Sequence, residues 1–109
     1  MLELYQTEWC PASRRVRERL TELSLDYLVR QVPVERGERT ALLGATGADT
    51  IPALRLEDGR AVVGGDAIEA YLDERFDEPA EAQAHRLKAA KVRRRYLEEE
   101  CECSQPATH

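Results

Sequence analysis

The chain has 109 residues, 42% of them apolar and 34% charged, which suits one globular domain and leaves no room for a second hydrophobic core. A formal charge of −5 argues against nonspecific attraction to nucleic acid or an anionic membrane, and no stretch approaches the ~20 apolar residues of a membrane span. Met1-Leu2-Glu3-Leu4-Tyr5 lacks the features of a secretory signal and the cysteines Cys10, Cys101 and Cys103 are too few for a disulfide framework, so a cytoplasmic protein with reduced thiols is expected.

Leu2 to Gln6 alternates apolar and polar residues and breaks at Thr7-Glu8-Trp9, the pattern of a short strand entering a loop. From Pro11 the apolar residues Ala12, Val16, Leu20 and Leu23 recur at helical spacing among arginines and glutamates. Proline suits the first helical position, where its missing N–H would have no intrahelical partner. Asp26 to Val32 is rich in strand formers, so a βαβ unit with parallel strands is expected. A short second helix is predicted over Glu35–Leu43, with Ala41, Leu42 and Leu43 as a weak apolar face closed by Gly44 and Gly47.

Thr50 to Leu56 and Ala61 to Val63 flank Glu57-Asp58-Gly59-Arg60, and Asp-Gly between apolar runs signals an antiparallel hairpin. After Gly64-Gly65-Asp66, Ile68, Tyr71, Leu72 and Phe76 form the face of another helix. The expected order is β-α-β-α-β-β-α over residues 1–77. Residues 78–109 are expected to form a C-terminal helix and tail, the helix spanning Glu78 to Glu100 with a narrow stripe of His85, Ala89, Val92 and Tyr96 that docks weakly.

The chemistry centres on Cys10. At a helix N-terminus the unpaired N–H groups and the positive dipole end stabilise a thiolate. Ser13, three residues on, brings a hydroxyl and an amide within reach of the sulfur. With Ser13 where a second cysteine could stand, no disulfide can form inside this segment.

Cys10-Pro11-Ala12-Ser13 after strand one, Thr50-Ile51-Pro52 before strand three and Gly64-Gly65-Asp66 opening the third helix stand in an order and at separations that resemble the glutaredoxin family and the N-terminal domains of glutathione transferases. The resemblance spans about residues 2–76. It implies an α/β thioredoxin fold, a four-stranded mixed sheet with flanking helices, and a cis Ile51-Pro52 bond facing Cys10. It further implies a monothiol, glutathione-dependent thiol-disulfide oxidoreductase in which Cys10 and Ser13 are catalytic and protein disulfides are substrates. Glutathione or another low-molecular-weight thiol is the implied co-substrate, and no metal is expected. Thr50, Ile51 and Pro52 would pair with the cysteinyl part of glutathione, and Gly65 and Asp66 would hold its γ-glutamyl end; Asp66 could equally be a plain N-cap. Arg36 and Arg39 are candidates for the glycyl carboxylate, or simply solvent-exposed arginines.

Glu8, where a lysine often precedes the cysteine in that family, is expected to repel a carboxylate and raise the thiol pKa slightly. Pro11 and Ala12 differ from the Gly and Phe of cluster-carrying members, which disfavours iron–sulfur carriage. The basic run Arg86, Lys88, Lys91, Arg93, Arg94 and Arg95 reads as a solvated helix face rather than a nucleic-acid contact, because Glu98, Glu99, Glu100 and Glu102 follow at once. Cys101-Glu102-Cys103 with His109 lacks the usual zinc spacing and could instead offer Cys10 a resolving thiol. A non-catalytic binding or regulatory module on the same fold is the alternative to an enzyme.

Overall fold

Alternation along the first strand decides the layering. In β1 (Leu2–Gln6) Leu4 faces one side of the sheet and Tyr5 the other, and both are buried. The structure, a computed structural model, describes residues 1–98, with side chains through Arg94. After β1 come α1 (Pro11–Glu22), β2 (Tyr27–Gln31), a 3-10 turn (Arg36–Glu38), α2 (Thr40–Thr46), β3 (Ala53–Arg55), β4 (Ala61–Val63), α3 (Gly65–Arg75) and α4 (Ala82–Glu98).

The four strands form one mixed sheet in the order β2-β1-β3-β4. β1 runs parallel to β2, with Leu4 opposite Val29, and antiparallel to β3, with Leu4 opposite Leu54. β3 and β4 are the predicted antiparallel hairpin. Its turn uses Gly59 at φ +91°, with the Asp58 carboxylate accepting the Arg60 N–H at 3.0 Å.

The main core lies between one sheet face and the helices α1 and α3: Leu4 and Leu54 meet Val16, Leu20, Ile68 and Leu72. A smaller core, Tyr5, Val32, Leu42 and Ala53, covers the other face beneath α2. Among the described residues no helix is long and apolar enough to cross a membrane.

Three boundaries differ from expectation. Residues 36–38 form the 3-10 turn, and α2 begins only at Thr40 and ends on Gly47, whose φ of +79° lets its N–H reach the Leu43 carbonyl at 2.8 Å. Leu42 is its buried apolar residue, whereas Leu43 is 52% exposed. β3 begins at Ala53 and not Thr50, because Pro52 has no N–H to give the ladder. α4 begins at Ala82, four residues after the expected Glu78. His85, Ala89 and Val92 are half-buried, as the predicted stripe requires, while the docking onto α1 is also polar. Arg86 bonds Glu22 at 3.1 Å, and Arg93 bonds Glu18 at 2.9 Å.

Leu54 is fully buried at the centre of β3. Leu54→Ala is therefore expected to lower stability by about 2–5 kcal/mol in urea unfolding, since the rigid surroundings leave a cavity; a loss below about 1 kcal/mol would exclude Leu54 from the core.

Candidate functional site

The site begins where β1 stops. The Cys10 N–H donates to the Thr7 carbonyl at 3.4 Å, turning the chain out of the sheet. Cys10 is the N-cap of α1, with φ −81° and ψ 119°, and Pro11 is the first helical residue. Its Sγ accepts the Ser13 N–H at 3.4 Å, so the sulfur takes the place usually held by a capping oxygen. Ser13 is fully buried, and its Oγ accepts the Thr7 N–H at 3.5 Å. Cys10 itself is half-buried, and its thiol is free.

Burial pushes the Cys10 thiol up, but the hydroxyl and amide of Ser13, the amide of Ala12 and the charge of Arg15 together hold it below its ordinary value. The expected rise from Glu8 is corrected. The Glu8 carboxylate is paired with Arg17 at 2.9 Å, and the same guanidinium bonds the Gln6 side chain and the Thr7 carbonyl. Arg17 thus neutralises Glu8 and ties the end of β1 to α1.

Two further segments meet this helix start. The Ile51-Pro52 bond is cis, and the Pro52 carbonyl accepts the Gly64 N–H at 2.8 Å, joining the strand-three motif to the beginning of α3. Gly65 packs so close to α1 that an added Cβ would lie 3.2 Å from the Ala12 Cβ, so both positions demand small residues. Thr50 and Ile51 are half-buried beside Pro52. Gly64, and not Asp66, is the N-cap of α3. Asp66 lies in the first turn with its carboxylate fully exposed, 3.8 Å from Arg15.

Arg39 is a correction. It is only 6% exposed, and its guanidinium donates to the carbonyls of Pro33, Asp49 and Val34 at 2.9, 2.9 and 3.0 Å. That fork clamps two loops together and is neither a surface arginine nor one aimed at a ligand. Arg36 is exposed and pairs with Asp49 at 3.5 Å. Sequence reasoning missed Arg15 and Arg17. Arg15 follows Ala12 by three residues on the helix face that meets α3, the one signal that could have marked it.

Two residues of the basic run of α4 are engaged within the molecule, Arg86 and Arg93 pairing with Glu22, Glu78 and Glu18, whereas Lys88, Lys91 and Arg94 are exposed. His85 lies 3.7 Å from Glu81. Among the described residues no group of His, Cys, Asp or Glu side chains is gathered as a metal ion would require. Cys101, Glu102, Cys103 and His109, the side chains of Arg95 and Tyr96, and the remaining glutamates of the tail lie outside the described residues.

The family model for the glutathione S-transferase N-terminal domain matches residues 4–80. A glutathione S-transferase from Rhodospirillum rubrum F11 is 32% identical, with a TM-score of 0.60 over 86% of this chain and 42% of that one. A second from Sinorhizobium meliloti 1021 is 27% identical, with a TM-score of 0.64 over 86% and 42%. A glutathione transferase family member from Pseudomonas fluorescens Pf-5, solved with bound glutathione, shares the fold at 22% identity, with a TM-score of 0.65 over 90% and 52%. The chain thus spans about half the length of these proteins. No curated protein matches it.

Because the Cys10 thiol is held down, its alkylation should persist to lower pH than that of a simple thiol measured alongside. Ser13→Ala should move the midpoint of the alkylation–pH profile upward, and an unchanged midpoint would remove Ser13 from the stabilisation. Arg39→Ala leaves three carbonyls without their donors and should cost about 2–4 kcal/mol in chemical unfolding, with no change in the Cys10 alkylation profile.

Proposed function

This chain belongs to the glutathione S-transferase N-terminal domain family, and we propose that it carries out glutathione-dependent thiol–disulfide exchange by a monothiol route through Cys10. The observation that carries the reading is the Cys10 sulfur at the N-cap of α1, accepting the Ser13 N–H and held below its ordinary pKa. A thiolate there is an attacking group in its own right. Beside it, a glutathione thiolate would be repelled as a like charge, whereas the sulfur of a glutathione mixed disulfide would be attacked. This favours exchange over conjugation to an electrophile.

In the first step the Cys10 thiolate attacks the glutathione sulfur of a protein–glutathione mixed disulfide. The Cys10–glutathione bond forms as the old disulfide breaks, and the protein leaves as a thiolate. A second glutathione thiolate then attacks the Cys10 adduct, releasing oxidised glutathione and restoring the Cys10 thiolate. Over the cycle one glutathione thiol is consumed, joining the glutathionyl group taken from the mixed disulfide as oxidised glutathione, and one protein thiol is restored.

Thr50, Ile51 and Pro52 are assigned the cysteinyl backbone of glutathione, in strand-like pairing. The backbone amides at Gly65 suit the γ-glutamyl carboxylate, and the exposed Asp66 carboxylate suits its ammonium group. The glycyl carboxylate does not fall to Arg39, whose guanidinium is occupied by three carbonyls. Residues 1–77 carry this chemistry, and a reduced Cys10 fits a cytoplasmic setting.

The test is mass spectrometry after exposure to oxidised glutathione, with Cys10→Ser alongside. One glutathione adduct on Cys10, removed by added reduced glutathione, is the expected result. No adduct at Cys10, or equal labelling of Cys101 and Cys103, would overturn the mechanism.

A further inference from the structure

We infer that Cys101 is a resolving thiol for Cys10, closing an intramolecular disulfide with it when reduced glutathione is scarce. This rests on the exchange reading above and adds a means of regulating the same site.

The direction of α4 carries it. Arg86, early in α4, pairs with Glu22, the last residue of α1, at 3.1 Å, whereas Arg93 pairs with Glu18, one turn nearer the start of α1, at 2.9 Å. His85 lines a cavity with Thr21, Ser24 and Tyr27, where α1 ends, while Arg93 shares a groove with Arg14. α4 therefore runs antiparallel to α1, and its carboxyl end heads toward the N-cap where Cys10 stands. The Cys10 sulfur accepts the Ser13 N–H over the open end of α1, half-buried and free. The way to it is past the end of the helix pair and not along the groove between them.

Helix dimensions set the reach. Cys10 lies eight residues before Glu18, about 12 Å along α1, and Glu98 lies five residues after Arg93, about 7.5 Å along α4. Glu98, the last described residue, thus stops about 5 Å short of the level of Cys10, on a helix packed about 8–10 Å away. Cys101 is three residues further on, and three residues span up to about 10 Å. That is enough to bring two Cα atoms within the roughly 4.4–6.8 Å that a disulfide needs. In the step itself the Cys101 thiolate attacks the Cys10 sulfur of the Cys10–glutathione adduct. The Cys10–Cys101 bond forms as the adduct disulfide breaks, and glutathione leaves as a thiolate that takes up the proton Cys101 gave up. Two reduced glutathiones reopen the bond, restoring both thiols and forming oxidised glutathione. A thiol tethered by a few residues acts at an effective concentration of about 1 mM. Reduced glutathione above that range wins the adduct and keeps the cycle running; below it, the tail closes on Cys10.

In the experiment the reduced full-length protein is mixed with equimolar oxidised glutathione, quenched in acid at intervals and mapped by mass spectrometry. The Cys10 adduct should appear first and then give way to a monomer with a Cys10–Cys101 bond, two hydrogens lighter than the reduced protein. Cys101→Ser should slow the loss of the adduct at least about tenfold and Cys103→Ser less than about twofold, and about 10 mM reduced glutathione should suppress the bond, as a tethered thiol of ~1 mM effective concentration requires. An adduct equally persistent in the unsubstituted protein and in C101S, closure through Cys103, or a bond joining two copies overturns the proposal. Diamide, which oxidises thiol pairs without glutathione, keeps the two readings apart. No adduct on Cys10 in the C101S/C103S double variant sinks the exchange reading, while the presence or absence of a Cys10–Cys101 bond after diamide still decides whether the tail thiol reaches Cys10.

Discussion

Strand β1 is bonded on both sides, to β2 and to β3, and this constraint sets everything that follows it. Its last residue, Gln6, accepts the Val32 N–H at 3.1 Å, so the chain leaves the sheet with its backbone already committed. It must turn within Thr7-Glu8-Trp9 and start a helix, and each part of that turn is tied down. Thr7 gives its carbonyl to Cys10 and its N–H to Ser13, while Arg17 reaches back to Gln6, Thr7 and Glu8. Cys10 is therefore delivered to the carboxyl end of β1, where open α/β sheets place their ligands.

At that position the sulfur faces opposing effects. Partial burial raises its pKa and a loop of this composition adds a nearby carboxylate, so a cysteine placed here without compensation would stay protonated. Compensation comes from fixed donors. The Ser13 amide is one of the helix's unpaired N–H groups and needs an acceptor in any case. Using sulfur as the cap satisfies the helix and stabilises the thiolate in the same contact. Arg17 removes the objection from Glu8, and Arg15 adds positive charge from the next turn.

How much of this was legible in the residues depends on how local the cause is. The element order is written in local patterns: Leu4 and Tyr5 alternate, Val16 and Leu20 repeat at four, and Asp58-Gly59 turns a hairpin. The start of α1 was equally readable, because Pro11 after a capping residue is a local signal. The arginines were not. Arg36 and Arg39 look alike in sequence, and only the carbonyls of Pro33, Val34 and Asp49, brought together by tertiary folding, make one a buried clamp. Asp66 was ambiguous for the same reason. Its release from capping depends on Gly64 adopting φ +98° while the Pro52 carbonyl accepts its N–H.

The docking of α4 was legible as a faint apolar stripe, yet its larger consequence is electrostatic. Exposed ion pairs such as Arg93 with Glu18 contribute only about 0–1 kcal/mol each to stability. They do, however, tie α4 into the charge pattern of α1. Glu18 and Glu22 stand on α1 one and two turns beyond Arg14 and Arg15, and Glu18 lies 3.9 Å from Arg14. Arg93 and Arg86, reaching from α4, share these glutamates with Arg14 and Arg19 of α1 itself. The carboxylates of α1 are thereby balanced in part from outside the helix, while Arg15, paired with Asp66 and Glu69 of α3, is the charge that helps to hold the thiol's pKa down. A helix whose contacts add little to folding in this way takes part in the charge balance of the helix that carries the reactive thiol at its N-terminus.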